Sequence, residues 1–414
     1  MKISKSAAKA MIGPVLFAGS NLLVSVLLQQ ADSATNFGAY AFAQVVVAAS
    51  LGISNGLFGI PIISAIGKGD ATEVEAVRSL ALANVVFCLF ASITSMLLML
   101  HVTGGSYGTS LLALAFTALS GARWFVRLHS LADLNSASAF RLDGIFSAIV
   151  VPGSLLLFKS GLLNTAWALG LMSLACAASL FGARKYARRY VCSFVGIGKP
   201  QDLSDLRKRG LAAVCISMCF EAIATGPAYY LSIAQSTAAY APVAVALLFF
   251  RPYGVLLTAA MQYQRPRVAR AIRDQGHGSV AKMLAKTVMS LGATWALNVI
   301  GIMIIVLVIP ERIYRSGYEA ATVNASLLLV GTSVLVKAFR EPLASVLLVT
   351  DQFKRLGLAA LIGAATSASI LFYVHLRGTA SHSSVLSSVL AGELAAFVFI
   401  LRAYVPQLAG KTQL

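Results

Sequence analysis

The chain has 414 residues, 58% of them hydrophobic and only 12% charged, with a mean hydropathy of +0.80. Soluble domains carry about 25% charged residues, so no water-facing surface can be built over this length and the matching solvent is lipid. The net charge of +18, from 33 Lys and Arg against 15 Asp and Glu, would suggest nucleic acid in a soluble protein; here it reads as a topology signal and as lining for an anionic substrate.

In lipid every backbone polar group must be paired internally, which leaves helices or closed barrels. Runs such as Ser290–Pro310 and Leu356–Tyr373 are unbroken and helix-length, unlike the short alternating segments of a barrel. Twelve spans are expected near residues 8–29, 38–63, 79–101, 109–131, 142–160, 164–183, 210–233, 238–262, 287–309, 321–349, 356–376 and 384–404. Lys2, Lys5 and Lys9 come before an apolar stretch that is full-length and is read as a retained first helix.

Of the 33 cations, 24 fall in the N-terminus, the loops after the even-numbered spans and the C-terminus. Lys159, Arg312, Arg315 and Arg377 lie on the other side. The expected topology is that of a multi-pass inner-membrane-type protein with both termini cytoplasmic. The outer loops are short, about a dozen residues at most, which leaves no room for an external catalytic domain.

A basic segment at 184–209 contains Arg184, Lys185, Arg188, Arg189, Lys199, Arg207, Lys208 and Arg209. It divides an N-terminal six-helix half, 1–183, from a C-terminal half, 210–414. Its charge suits the positive-inside rule and contact with anionic lipid. The halves look related. Gly38-Ala39-Tyr40-Ala41 opens the second span and Ala238-Ala239-Tyr240-Ala241 the eighth, an offset of 200. Arg123-Trp124-Phe125 matches Lys337-Ala338-Phe339, and Arg141-Leu142 matches Arg355-Leu356, both at an offset of 214. Six helices per half implies a parallel repeat, with a binding site expected between the halves near mid-membrane.

No motif of catalysis appears. There is no nucleotide-binding G-x-x-x-x-G-K-[ST], and Val195-Gly196-Ile197-Gly198-Lys199 reads as loop. His101, His129, His277, His375 and His382 lack ligand spacing, and Cys215 and Cys219 share a helix face without companions. Neither metal nor cofactor is called for.

The informative residues are the charges inside spans, which cost several kcal/mol each in lipid and so face protein or water. Arg123, Arg251, Lys337 and Arg340 are the candidate substrate-binding cations, suited to phosphate or pyrophosphate. Arg127, one turn from Arg123, is the cation best placed to snorkel. Glu221, Glu341 and Glu393 are candidates for coupling to a proton or sodium gradient.

The element Asn36-Phe37-Gly38-Ala39-Tyr40-Ala41 at the start of the second span, and the polar turn Val349-Thr350-Asp351-Gln352-Phe353-Lys354-Arg355 after the tenth, resemble the polysaccharide and O-antigen (Wzx-type) flippase branch of the multidrug/oligosaccharidyl-lipid/polysaccharide (MOP) exporter superfamily. The eighth span, with Ala239-Tyr240-Ala241-Pro242, lacks the glycine. The resemblance implies two six-helix bundles of MATE-like fold around a central cationic cavity. It also implies export of a glycan carried on undecaprenyl pyrophosphate, by alternating access and without an enzymatic step. The partners would be that anionic lipid-linked glycan, membrane lipids and other polysaccharide-assembly membrane proteins. A cation-coupled drug or metabolite antiporter is the alternative within the superfamily. A membrane-embedded glycan polymerase is the alternative outside it.

Overall fold

Apolar runs of this length fold as helices, and the computed structural model is helical along nearly all of its described residues. These are 5–408 apart from 60, 63–70, 134, 193–203, 276, 309, 311–318, 351 and 379–380. The centre of the basic segment, Arg312 and Arg315, and Asp351 of the polar turn therefore lie outside them. The helices are α1 (Lys5–Ala31), α2 (Ala34–Ser54), α3 (Ala71–Val102), α4 (Tyr107–Ala132), α5 (Ser136–Lys159) and α6 (Thr165–Ser179). They continue as α7 (Ser204–Tyr230), α8 (Thr237–Gln275), α9 (His277–Val308), α10 (Ala320–Val349), α11 (Phe353–Leu376) and α12 (His382–Leu408). Twelve are long and apolar enough to cross a membrane, and the protein is a multi-pass membrane protein.

Several helix ends differ from the sequence expectation, and two of them show why. The sixth span was expected to stop at 183, where the charges begin. Instead a 3-10 turn, Leu180–Ala183, leads into a short basic helix, Arg184–Cys192. Tyr186 and Tyr190, one turn apart, hold it down. The Tyr186 hydroxyl donates to Asp133 at 2.6 Å, and the Tyr190 hydroxyl donates to Asn84 at 3.0 Å. The Tyr190 ring also packs 5.3 Å from Phe125. The ninth helix starts at His277, ten residues before the predicted span, because Val280 and Leu284 bury against Val268 of α8. Apolar windows find the lipid-crossing part of a helix and miss the part that packs beyond it.

The lipid faces read directly from exposure. α9 presents Met289, Leu297, Met303, Leu307 and Val308 outward. Buried faces are built from small and hydroxyl residues, whose hydroxyls bond back to the carbonyl one turn earlier, as Ser25 does to Asn21 and Ser173 to Leu169. Interhelical packing in lipid favours such residues.

The chain falls into two compact units. One comprises residues 1–214 with 229–241, the other 215–228 with 242–414. In the first, α1 packs along α5, α3 along α4, and α6 against α4 and α5. In the second, α12 packs along α10 and α11, and α9 against α10.

The Phe-Gly-x-Tyr element has a structural reason. Phe37 and Tyr40 are fully buried, and the Tyr40 hydroxyl lies 3.4 Å from the Met172 sulfur. A Cβ on Gly38 would collide with the Thr237 carbonyl oxygen at the start of α8, so only glycine allows this approach. The α1–α2 turn is tied to α6 as well: Asp32 accepts from the Thr165 amide at 3.2 Å, and the Thr165 hydroxyl donates to the Asn36 carbonyl at 2.7 Å.

Candidate functional site: charged clusters inside the helical units

The first unit buries a charged triad. Arg123 and Arg127 lie one turn apart on one face of α4, as their spacing dictates. Both reach Asp143 on α5: Arg123 Nη2 is 2.5 Å from Oδ1, and Arg127 Nε is 3.0 Å from Oδ2. The Arg123 guanidinium lies over the Phe17 ring of α1 at 4.1 Å and near the Phe146 ring of α5 at 4.9 Å. Stacking of this kind suits a desolvated guanidinium. Gly13 brings the α1 backbone onto the carboxylate, since a Cβ there would sit 2.6 Å from Asp143 Oδ2. Two cations face one carboxylate, and Arg123 Nε is buried without a hydrogen-bond partner.

The second unit repeats the theme with other residues. Arg340 on α10 is buried; its Nε donates to Glu393 Oε2 on α12 at 2.8 Å, and its Nη2 donates to Glu341 Oε1 at 3.1 Å. Its guanidinium lies 3.8 Å from the centre of the Phe220 ring on α7. In each unit, then, an arginine on the fourth helix stacks on a phenylalanine of the first helix and binds a buried carboxylate. The sequence offset of 214 aligns Arg123 with Lys337. By environment the counterpart of Arg123 is Arg340, three residues further along and close to the same helix face.

The other predicted residues are half-buried. Lys337 and Arg251 both lie in this intermediate layer. Glu221 on α7 is half-buried too, and the Lys337 ammonium is its charged neighbour. α8 is helical without a break from Thr237 to Gln275, Pro252 included. The structure thus brings Arg340, Glu341 and Glu393 together, and leaves Lys337 within electrostatic reach of Glu221 but not in ion-pair contact with it. Arg123 stands in its own cluster in the other unit. Among the described residues no group of His, Cys, Asp and Glu is arranged to hold a metal ion.

Sequence reading did not single out Asp143, Phe17 or Phe220. Asp143 was legible as an acid within the fifth predicted span. The phenylalanines carry no signal among the 21 of the chain, because stacking is a tertiary property.

No protein-family model matches the sequence, and no curated protein matches it. Solved structures do match the fold. The lipid II flippase MurJ in an inward closed conformation has a TM-score of 0.65 at 12% identity, over 96% of this chain and 87% of that one. An outward-facing multidrug resistance MATE family transporter of the MOP superfamily gives 0.60 at 14% identity, over 99% and 100%. A MOP superfamily transporter from Pyrococcus furiosus, described as having a binding pocket of reverse polarity that suggests a different function, gives 0.59 at 14% over 98% and 95%. At such identities the likeness establishes the fold: an all-α, twelve-span MOP fold, as the resemblance of the short motifs implied.

Proposed function

We propose that the protein is a flippase that moves an undecaprenyl-pyrophosphate-linked oligosaccharide or polysaccharide repeat unit across the bacterial inner membrane by alternating access, for exopolysaccharide or O-antigen synthesis. The observation that carries this reading is how the intramembrane charges are committed. Asp143 is taken by Arg123 and Arg127, and Glu341 and Glu393 by Arg340. Glu221 has Lys337 beside it. Each of these carboxylates already has a cationic neighbour, so a cationic drug would find no acid waiting for it. A pyrophosphate, by contrast, would meet the half-buried Lys337 and Arg251, and charge-assisted bonds to phosphate are strong.

The fold is shared with a lipid II flippase as well as with multidrug transporters, so the charge pattern is what supports the flippase reading over the antiporter. Glu221 is the acid best placed for coupling to a proton or sodium gradient, since its neighbour Lys337 is also a substrate cation and the two events would meet there. Glu341 and Glu393 would act through Arg340.

Deleting the gene in the native host and extracting lipid-linked glycans with their sidedness tests the reading. Undecaprenyl-linked repeat units held on the cytoplasmic face are expected. Lys337→Ala and Arg251→Ala should lose glycan export while the protein still inserts and accumulates. Wild-type glycan sidedness in the deletion strain, with altered sensitivity to small cations, would favour the antiporter instead.

A further inference from the structure

Away from the intramembrane clusters, a groove of about 500 Å3 opens between α8 and α9. Gln264 and Arg267 of α8 form one wall and Lys282, Lys286, Thr287 and Ser290 of α9 the other; among the described residues no acid lines it. Its apolar part is formed by Ala260, Met283 and Leu291.

Gln264 is the unusual member. Its side chain is 6% exposed, yet neither its amide nitrogen nor its carbonyl oxygen has a hydrogen-bond partner. A buried amide left this way is destabilising unless something outside the protein completes it. Three cations surround it. The groove also lies at the ends of two expected spans, the level at which headgroups begin. Gln264 lies two residues past the eighth expected span, 238–262, where the charged part of α8 begins. Lys282 and Lys286 lie just before the ninth expected span, 287–309.

We infer that this groove binds the headgroup of a phosphate ester that carries a neighbouring hydroxyl. The cations and the Gln264 amide nitrogen supply donors to the phosphoryl oxygens. A phosphodiester has no proton to give at neutral pH, so with the cations engaged by phosphoryl oxygens a hydroxyl of the same headgroup is the donor for the Gln264 carbonyl oxygen. Phosphatidylglycerol has this chemistry, and so does a glycosyl phosphate on a polyprenyl carrier. Basic pockets between helices on the cytoplasmic side are where anionic headgroups bind, and the charge bias assigns this end of α8 and α9 to that side. The inference is independent of the flippase reading, because binding is measured without transport.

The full chain in phosphatidylcholine nanodiscs is titrated with phosphatidylglycerol, and bound lipid is counted by native mass spectrometry. Phosphatidylmethanol, which keeps the anionic phosphate and lacks the hydroxyl, is the comparison probe. Binding of phosphatidylglycerol should weaken at least about tenfold in Lys282→Gln/Lys286→Gln and in Gln264→Leu. The lysines are exposed, so their exchange leaves folding intact and keeps the test decisive even where Gln264→Leu does not fold. Wild-type protein should prefer phosphatidylglycerol over phosphatidylmethanol, and Gln264→Leu should not. Unchanged binding in the lysine variant, or equal wild-type affinity for the two lipids, overturns the inference. Displacement of phosphatidylglycerol by an undecaprenyl-pyrophosphate-linked sugar supports it and identifies the lipid-linked glycan as the source; retention of phosphatidylglycerol supports it with the bulk membrane lipid as the source.

Discussion

Arg123 and Asp143 close a buried ion pair at 2.5 Å between α4 and α5, and Arg127 completes it from the next turn. Removing one partner of a buried pair leaves an uncompensated charge and costs about 3–5 kcal/mol, whereas removing both with apolar replacements is near neutral. Asp143→Asn strands two arginines in the bundle. It should lower the thermal unfolding midpoint in detergent substantially, while Asp143→Asn combined with Arg123→Met should recover part of the loss. A double variant no more stable than Asp143→Asn alone would mean that the pair is not coupled.

Arg340 binds two carboxylates that differ in surroundings. The side chain of Glu393 is 3% exposed and that of Glu341 is 21% exposed. Glu393→Gln should therefore destabilise by several times more than Glu341→Gln, whose charge is partly screened. Arg340→Lys keeps the charge and loses both the planar fork and the stacking on Phe220, so it should behave more like a loss than a conservative change. Thermal unfolding of the three purified variants ranks them. Equal effects at Glu393 and Glu341 would contradict the burial argument.

Gly38 meets the Thr237 carbonyl oxygen, a backbone atom that cannot rotate away. Gly38→Ala should destabilise by the 1–3 kcal/mol typical of overpacking, about the same or more for Gly38→Val. Membrane-fraction abundance and the thermal midpoint measure it. A Gly38→Val variant that accumulates and melts like the wild type would show that the start of α8 can shift aside.

Much of the fold was legible because lipid enforces a simple rule. A helix that crosses it must be apolar over about 20 residues, so all twelve spans could be placed from runs such as Leu356–Tyr373. The Phe37-Gly38-Ala39-Tyr40 element pointed to the fold through a close approach that its glycine makes necessary. The charged clusters were half legible. Composition flags Arg123 and Arg340 as expensive, but only packing shows that Asp143 and Glu393 meet them. The short repeat signal placed Lys337 opposite Arg123, whereas the shared environment belongs to Arg340; helix phase is finer than an offset read from three residues. Gln264 carried no signal, since an amide among charged residues reads as surface.

The basic helix Arg184–Cys192 offers a direct measurement of orientation. Its Tyr186 and Tyr190 are buried, and Arg184, Lys185, Arg188 and Arg189 are exposed around it. Cys192 ends the helix and is exposed, whereas Cys88 and Cys176 are buried. The bias of Lys and Arg predicts that this end faces the cytoplasm. In a variant that retains Cys192 and has the other four cysteines replaced by serine, a membrane-impermeant maleimide should label inside-out vesicles and leave intact cells unlabelled. The four exposed cations would then lie at the anionic leaflet, each contributing about 1 kcal/mol of attraction. Replacing all four with glutamine should weaken the orientation signal and reduce the fraction of correctly oriented protein, detected as Cys192 labelling from the outside. Labelling of the retained cysteine in intact cells expressing the unaltered basic helix would invert the topology. The α8–α9 groove would then face away from the cytoplasm, and the substrate would have to be loaded from the opposite face.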